Sequence, residues 1–232
     1  MAHLTAIGFD ADDTLWQNET FFRMTEQRFA DLLSEHGEHH VISERLLEAE
    51  RRNLQHYGYG VKGFTLSMIE TALEVTGHQI SPVVIGEILS FGRQMLQNPV
   101  ETLPHVHDTL EALADSFRII LITKGDLFDQ ERKLAQSGLG DYFDAVEIVS
   151  EKTPQTYERI FQRHADGAER SMMVGNSLKS DVVPAIAAGS WGVHVPHEMT
   201  WALEHVDPPE DNPRFRRIAD LSGLMPLVSQ IT

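Results

Sequence analysis

Residues 4–9, Leu-Thr-Ala-Ile-Gly-Phe, form a short apolar run that ends in a carboxylate, Asp10, and a burst of polar residues follows. A buried strand delivering a functional group to the edge of a sheet has this form. The next strand-like run comes only at 117–122, and the pattern between the two is helical. Phe21, Phe22, Phe29, Leu32 and Leu33 recur at three-, four- and seven-residue intervals, Leu46, Leu47 and Leu54 repeat the theme, and Met68, Ile69, Ala72 and Leu73 do so again. Ser81 caps and Pro82 opens a further helix, which runs to about Gln97 before Asn98-Pro99 stops it. The pattern therefore predicts an all-helical insert over 17–98, with 1–16 and 99–232 forming the rest.

From Pro104 onward helices and strands alternate: helix 105–115, strand 117–123, helix 127–137, strand 145–149, helix 154–164, strand 171–175, helix 179–188 and strand 191–195. Parallel strands need crossover connections, usually helices, so this alternation predicts an α/β fold with a parallel sheet covered on both faces. The first strand belongs to the same sheet. Residues 196–214, carrying Pro196, Pro208, Pro209 and Pro213, read as an irregular excursion before a short strand near 215–218 and a last helix near 221–230. No internal repeat, heptad or low-complexity tract interrupts this order.

Composition narrows the functional classes. Thirty-five acidic against nineteen basic residues give a net charge of −16, a field that disfavours nucleic acid and anionic membrane as partners. The absence of cysteine excludes disulfides, thiolate zinc sites and a cysteine nucleophile. The N-terminal stretch lacks a basic region and reaches an acid by Asp10, unlike a signal peptide, and no apolar run approaches the ~20 residues of a membrane span. A cytoplasmic protein is expected.

Four segments carry candidate chemistry. Phe9-Asp10-Ala11-Asp12-Asp13-Thr14-Leu15 places three carboxylates within four positions at the end of the first strand. Acids this close repel one another unless a cation is present, and hard oxygen donors favour Mg2+. The competing reading is a solvated acidic turn. The strand 117–123 releases Thr123-Lys124-Gly125-Asp126 at its end, a hydroxyl and a glycine where backbone amides and a helix start can face an anion. Lys152 follows the third strand as a cation, and Gly175-Asn176-Ser177-Leu178-Lys179-Ser180-Asp181 follows the fourth, with a carboxylate able to return to the edge.

Taken together and in this order, these segments resemble the haloacid dehalogenase superfamily of phosphatases and related hydrolases. The resemblance implies a Rossmann-like parallel sheet with a helical cap inserted between the first and second motifs, where 17–98 lies. It implies that Asp10 is the nucleophile, forming an aspartyl-phosphate, and that Asp12 is the acid and base. Thr123, with backbone amides around Lys124 and Gly125, would bind the phosphoryl group, and Lys152 would balance charge. Asp10, Asp181 and the main-chain carbonyl of Asp12 would hold Mg2+. Two departures stand out. Asn176 replaces an acid found in many relatives, leaving it an outer-shell role, and Thr153 separates Lys152 from Pro154.

The expected function is Mg2+-dependent hydrolysis of a small phosphorylated metabolite. The motifs resemble members acting on nucleoside monophosphates. The alternatives are a metal-independent 2-haloacid dehalogenase, disfavoured by Asp12 and Asp181, and a non-catalytic ligand-binding regulator. A monomer or homodimer is expected. A phosphonate-cleaving relative would offer a cap lysine, for which Lys62 is the one candidate in the insert. Trp16, Phe21, Phe22, Tyr57, Tyr59 and Phe64 read mainly as core of the cap, and Gly58, Gly60 and Gly63 as turns or a substrate-facing loop. His36, His39 and His40 read as solvated. His194 and His197, Trp191 and Trp201 read as packing, and Arg214, Arg216 and Arg217 as partners of local acids.

Overall fold

The structure, a computed structural model, describes residues 3–231. The chain divides into two compact units, Asn18–Pro99 with Gly125–Asp129, and the remainder.

The first unit contains α1 (Glu19–Leu32), α2 (His39–Tyr57), α3 (Val61–Val75) and α4 (Pro82–Met95). Their apolar stripes close over a core of Phe29, Leu33, Ile42, Leu46, Phe64, Met68, Ile88 and Phe91. Buried Asn53 continues the stripe of α2 one turn past Ala49, and its amide donates to Ser67 Oγ at 3.2 Å and Glu70 Oε2 at 2.7 Å. Ser81 Oγ caps α4 by accepting from the Val83 amide at 3.2 Å, with Pro82 in the first turn. Gly58 and Gly60, at φ +69° and +105°, form the α2–α3 link, so turn formation accounts for both.

The second unit is built on β1 (Ala6–Phe9), β2 (Arg118–Lys124), β3 (Ala145–Val149), β4 (Ser171–Gly175), β5 (Trp191–His194) and β6 (Phe215–Arg217), all parallel and ordered β3-β2-β1-β4-β5-β6. Connecting them are α5 (Val106–Ala114), α6 (Leu127–Ser137), α7 (Pro154–His164), α8 (Val183–Ala187) and the terminal α9 (Leu224–Ile231). Strand alternation divides the core between the faces. Ile7, Phe9, Ile119, Leu121, Met172 and Val174 pack with residues of α5 and α9, whereas Ala6, Ile120, Ile122 and Met173 pack with Tyr157, Ile160 and Phe161 of α7. The architecture is thus α/β and Rossmann-like, with helices on both faces of a parallel sheet. Strand order reverses between β1 and β4, and in such sheets ligands bind beyond the carboxyl ends of the strands at that switch point.

Two elements differ from the sequence pattern. The helix expected over 179–188 opens as a π-helical turn, Leu178–Val182, in which the Val182 amide reaches back to the Ser177 carbonyl, before α8 starts at Val183. Its wider turn accompanies inward placement of both Ser180 and Asp181. Trp16 is fully buried in the core of the α/β unit instead of the helical one. Among the described residues, no helix is long and apolar enough to cross a membrane.

Candidate active site

The carboxyl ends of β1, β3 and β4 bring three ionisable groups into direct contact. The Asp10 amide donates to the Val174 carbonyl at 2.9 Å, which fixes the end of β1 against β4. Lys152 Nζ donates to Asp10 Oδ1 at 2.5 Å and to Asp181 Oδ1 at 2.7 Å, and its side chain is 1% exposed. Asp181 Oδ2 accepts from the Ser177 amide at 2.9 Å. Thr14 Oγ1 lies 3.2 Å from Asp10 Oδ2 and accepts from the Asn176 amide at 2.9 Å, tying the first loop to the fourth. Asn176 Oδ1 lies 3.4 Å from the same hydroxyl. Thr153 has an evident local purpose: its Oγ1 accepts from the Thr156 amide at 3.2 Å and caps α7, with Pro154 in the first turn.

Burial, reinforced by the charge of Asp181, pushes the Asp10 carboxyl up to about 7 against the opposing pull of Lys152. Burial disfavours charge on Lys152 too, but Asp10 and Asp181 outweigh it and raise its pKa, so it remains an ammonium. With both carboxyls ionised, the one cation between them leaves an excess negative charge. The oxygen-only donors Asp10 and Asp181, with the Asp12 carbonyl, fit a hard divalent ion that would remove that excess. Among the described residues no three His, Asp or Glu side chains converge as a metal cluster, and the Asp12 carboxylate is engaged elsewhere, which leaves its carbonyl for such a role.

Asp12 is held by donors other than Lys152. Its Oδ1 accepts from Trp16 Nε1 at 2.7 Å and Lys133 Nζ at 2.7 Å, and its Oδ2 from Gln130 Nε2 at 3.1 Å. The Gln130 amide also donates to Thr123 Oγ1 at 2.7 Å and to the Lys124 carbonyl at 2.9 Å, so it joins the first loop to the end of β2. Gly125 follows at φ +141°, a conformation suited to glycine. The Lys124 ammonium is turned toward Glu204 at 2.9 Å and Ser180 Oγ at 2.7 Å. The Lys124 ammonium is thus committed to those two side chains. Glu204 also accepts from Ser177 Oγ and Ser180 Oγ, both at 2.5 Å. Burial alone would raise the Glu204 pKa, but the Lys124 charge and these hydroxyls hold it below its ordinary value.

The sequence reading did not find Trp16, Gln130, Lys133 or Glu204 as parts of this edge. For Gln130 and Lys133 the available signal was their i, i+3 spacing on one helix face; Glu204 lies in the aperiodic excursion and carries none. Other features fall outside the site. Lys62 Nζ is held by both Asp126 oxygens, at 3.0 and 2.9 Å. His36, His39 and His40 are exposed. His194 Nε2 donates to the Asn176 carbonyl at 3.0 Å, and burial keeps the ring's pKa below its ordinary value. Arg216 and Arg214 correct the expectation of acidic partners: they lie over the Trp191 ring at 4.8 and 5.8 Å, while Arg217 does pair with Glu210 at 3.3 Å.

Residues 4–189 match the sequence pattern of a haloacid dehalogenase-like hydrolase. A crystal structure of a haloacid dehalogenase-like family hydrolase from Xanthomonas campestris superposes with a TM-score of 0.88 at 44% identity, covering 98% of this chain and 91% of that one. The glyceraldehyde 3-phosphate phosphatase of Methanothermobacter thermautotrophicus is 24% identical over 220 residues, 88% of this chain and 91% of the relative. The pyrimidine 5'-nucleotidase PynA of Streptococcus pneumoniae is 34% identical over 96 residues, 38% of this chain and 40% of its own.

Proposed function

The chain belongs to the haloacid dehalogenase-like hydrolases and is a phosphoric monoester hydrolase, and from that premise we propose a Mg2+-dependent reaction on a small phosphorylated metabolite through an aspartyl-phosphate at Asp10. The observation that carries the reading is Lys152 bonded at once to Asp10 and Asp181 at the sheet's switch point. A carboxylate approaching a phosphate meets repulsion of ~4 kcal/mol per pair of unit charges at ~4 Å and an effective dielectric of 20. A buried ammonium beside the nucleophile offsets part of it.

In this reading Asp10 bonds to phosphorus in line with the leaving oxygen, and Asp12 gives that oxygen its proton. Thr123 Oγ1 and the amides around Lys124 and Gly125 hold the phosphoryl oxygens, and Lys152 keeps Asp10 and the phosphoryl group electrostatically compatible. Water then bonds to phosphorus, Asp12 takes a proton from it, and the bond to Asp10 breaks. Asp10, Asp181 and the Asp12 carbonyl would hold Mg2+, which supplies charge neutralisation for the phosphoryl transfer. The helical unit, inserted between β1 and β2, would act as a cap that selects the leaving group. Nucleoside monophosphates are the first class to test, supported by the partial likeness to a pyrimidine 5'-nucleotidase.

The test is phosphate release from p-nitrophenyl phosphate and from a panel of nucleotides and sugar phosphates, with Mg2+ and with EDTA. Turnover should require Mg2+ and vanish in Asp10→Asn while that variant keeps its circular dichroism spectrum. Metal-independent turnover, or full activity in Asp10→Asn, would overturn the reading.

A further inference from the structure

Helix α6 rests Leu134 on the core of the α/β unit, but its opening turn exposes apolar residues while the turn after it buries polar ones. Leu127 and Phe128 at its start are 59% and 72% exposed, whereas Gln130 and Lys133 are 2% and 8% exposed. Burying a phenylalanine is worth roughly 1.5–3 kcal/mol, and burying an ammonium costs several kcal/mol unless it is paired. A helix selected only for packing would present its apolar residues inward. What α6 obtains instead is contact with Asp12: Lys133 holds Oδ1 and Gln130 holds Oδ2, with Trp16 closing from the same side as a third donor. The Asp12 side chain keeps a quarter of its surface open while Lys133 keeps a tenth, so the donors sit behind the carboxylate and leave an edge of it free.

Resting on the reading of Asp12 as proton carrier, we propose that Lys133 and Gln130 are positioning residues that orient its carboxylate for proton transfer. Gln130 extends the same control to the phosphoryl-binding hydroxyl, because its amide bonds Asp12 Oδ2 and Thr123 Oγ1 together. Neither residue touches the reacting atoms. Their effect, together with the Trp16 indole, is to fix the two side-chain torsions of Asp12.

This role has a kinetic signature. In the first half-reaction the bond from phosphorus to the leaving oxygen breaks as Asp10 bonds to phosphorus; an alkoxide needs the Asp12 proton, whereas p-nitrophenolate leaves without one. In the second half-reaction the water oxygen bonds to phosphorus, Asp12 accepts a water proton, and the bond to Asp10 breaks, whatever the substrate was. A misoriented Asp12 therefore slows the second step selectively when p-nitrophenyl phosphate is used.

Rapid-quench kinetics with p-nitrophenyl phosphate and Mg2+ on wild type, Lys133→Met and Lys133→Arg test this. Lys133→Met should show a burst of p-nitrophenolate rising toward one per enzyme and exceeding that of the wild type. Its steady-state kcat should fall roughly 10–100-fold, less than the ~10²–10⁴ that acid–base catalysis supplies because Asp12 itself remains, and KM should not rise. Lys133→Arg, which keeps a charged donor, should restore most of the rate. Gln130→Met removes the other donor and should show the same burst if Lys133→Met does not fold. Unchanged turnover, or a fall in kcat with no added burst, overturns the proposal while leaving the phosphatase reading intact. A wild type silent toward every phosphate ester overturns both.

Discussion

Replacing Gly175 with alanine tests the assembled site at its tightest point. Gly175 ends β4 with a φ outside the left-handed region, so no turn demands a glycine there. A Cβ at this position would stand 2.3 Å from Asp181 Oδ2, 2.4 Å from its Cγ and 2.7 Å from its Cβ, all well inside contact distance. Asp181 would have to retreat by about 1 Å to relieve these overlaps. Its Oδ1 bond to Lys152 at 2.7 Å and its Oδ2 bond from the Ser177 amide at 2.9 Å then both fail. Overpacking costs ~1–3 kcal/mol, and breaking a buried charged pair ~3–5, an upper bound here because Lys152 keeps Asp10. We expect about 3 kcal/mol in all, or ~6–12 °C in Tm for a chain of this size. Thermal denaturation in EDTA reads that loss, and phosphate release titrated with Mg2+ should show half-saturation moving to higher metal concentration. A Gly175→Ala protein with wild-type Tm and an unchanged Mg2+ titration would refute the packing of Asp181 described above.

The Glu204 pKa lies below its ordinary 4.5, so its contribution to stability is complete above about that pH and is lost as pH falls through the lower, folded value. Urea denaturation should show wild type losing stability relative to Glu204→Gln below pH 4.5, and parallel curves would contradict the Lys124–Glu204 contact. Lys152→Met alone should cost ~3–5 kcal/mol by leaving two buried carboxylates unpaired, whereas Asp10→Leu, Lys152→Met and Asp181→Leu together should recover that loss or exceed wild-type stability, without activity. A triple variant no more stable than the single one in urea denaturation would show that this buried group is held for stability.

The strands and most helices were legible because each is a local pattern. β3, α6 and α7 lie at the expected 145–149, 127–137 and 154–164, since period and punctuation (Gly138, Pro154) are read from adjacent residues. Where the reading departed, a non-local demand won. The helix expected at 179–188 gives way to a π-helical turn that turns Ser180 toward Glu204 and Asp181 toward Lys152. Trp16 looked like an aromatic of the helical insert, but its indole belongs under Asp12, which one hydrogen bond decides. Gly175 is required for space, a demand visible only once Asp181 is placed.

The same distinction explains which parts of the candidate site were readable. Asp10, Lys152 and Asp181 each follow a strand of one parallel sheet and Thr123 lies at the end of another, so recognising the strands sufficed to bring them to one edge. Gln130, Lys133 and Glu204 have no such rule. Lys133 meets Asp12 across 121 residues and Lys124 meets Glu204 across 80, and each contact sets the side-chain direction of an otherwise ordinary surface residue. In α6, periodicity assigns the polar face to solvent, because periodicity counts hydrophobic area and not hydrogen-bond partners. A partly buried carboxyl group held by donors at a sheet edge reverses that assignment, since leaving it without partners costs more than exposing Phe128. A polar stripe facing inward on a helix that opens with exposed apolar residues is therefore a sign of function, and in this chain it leads directly to Asp12.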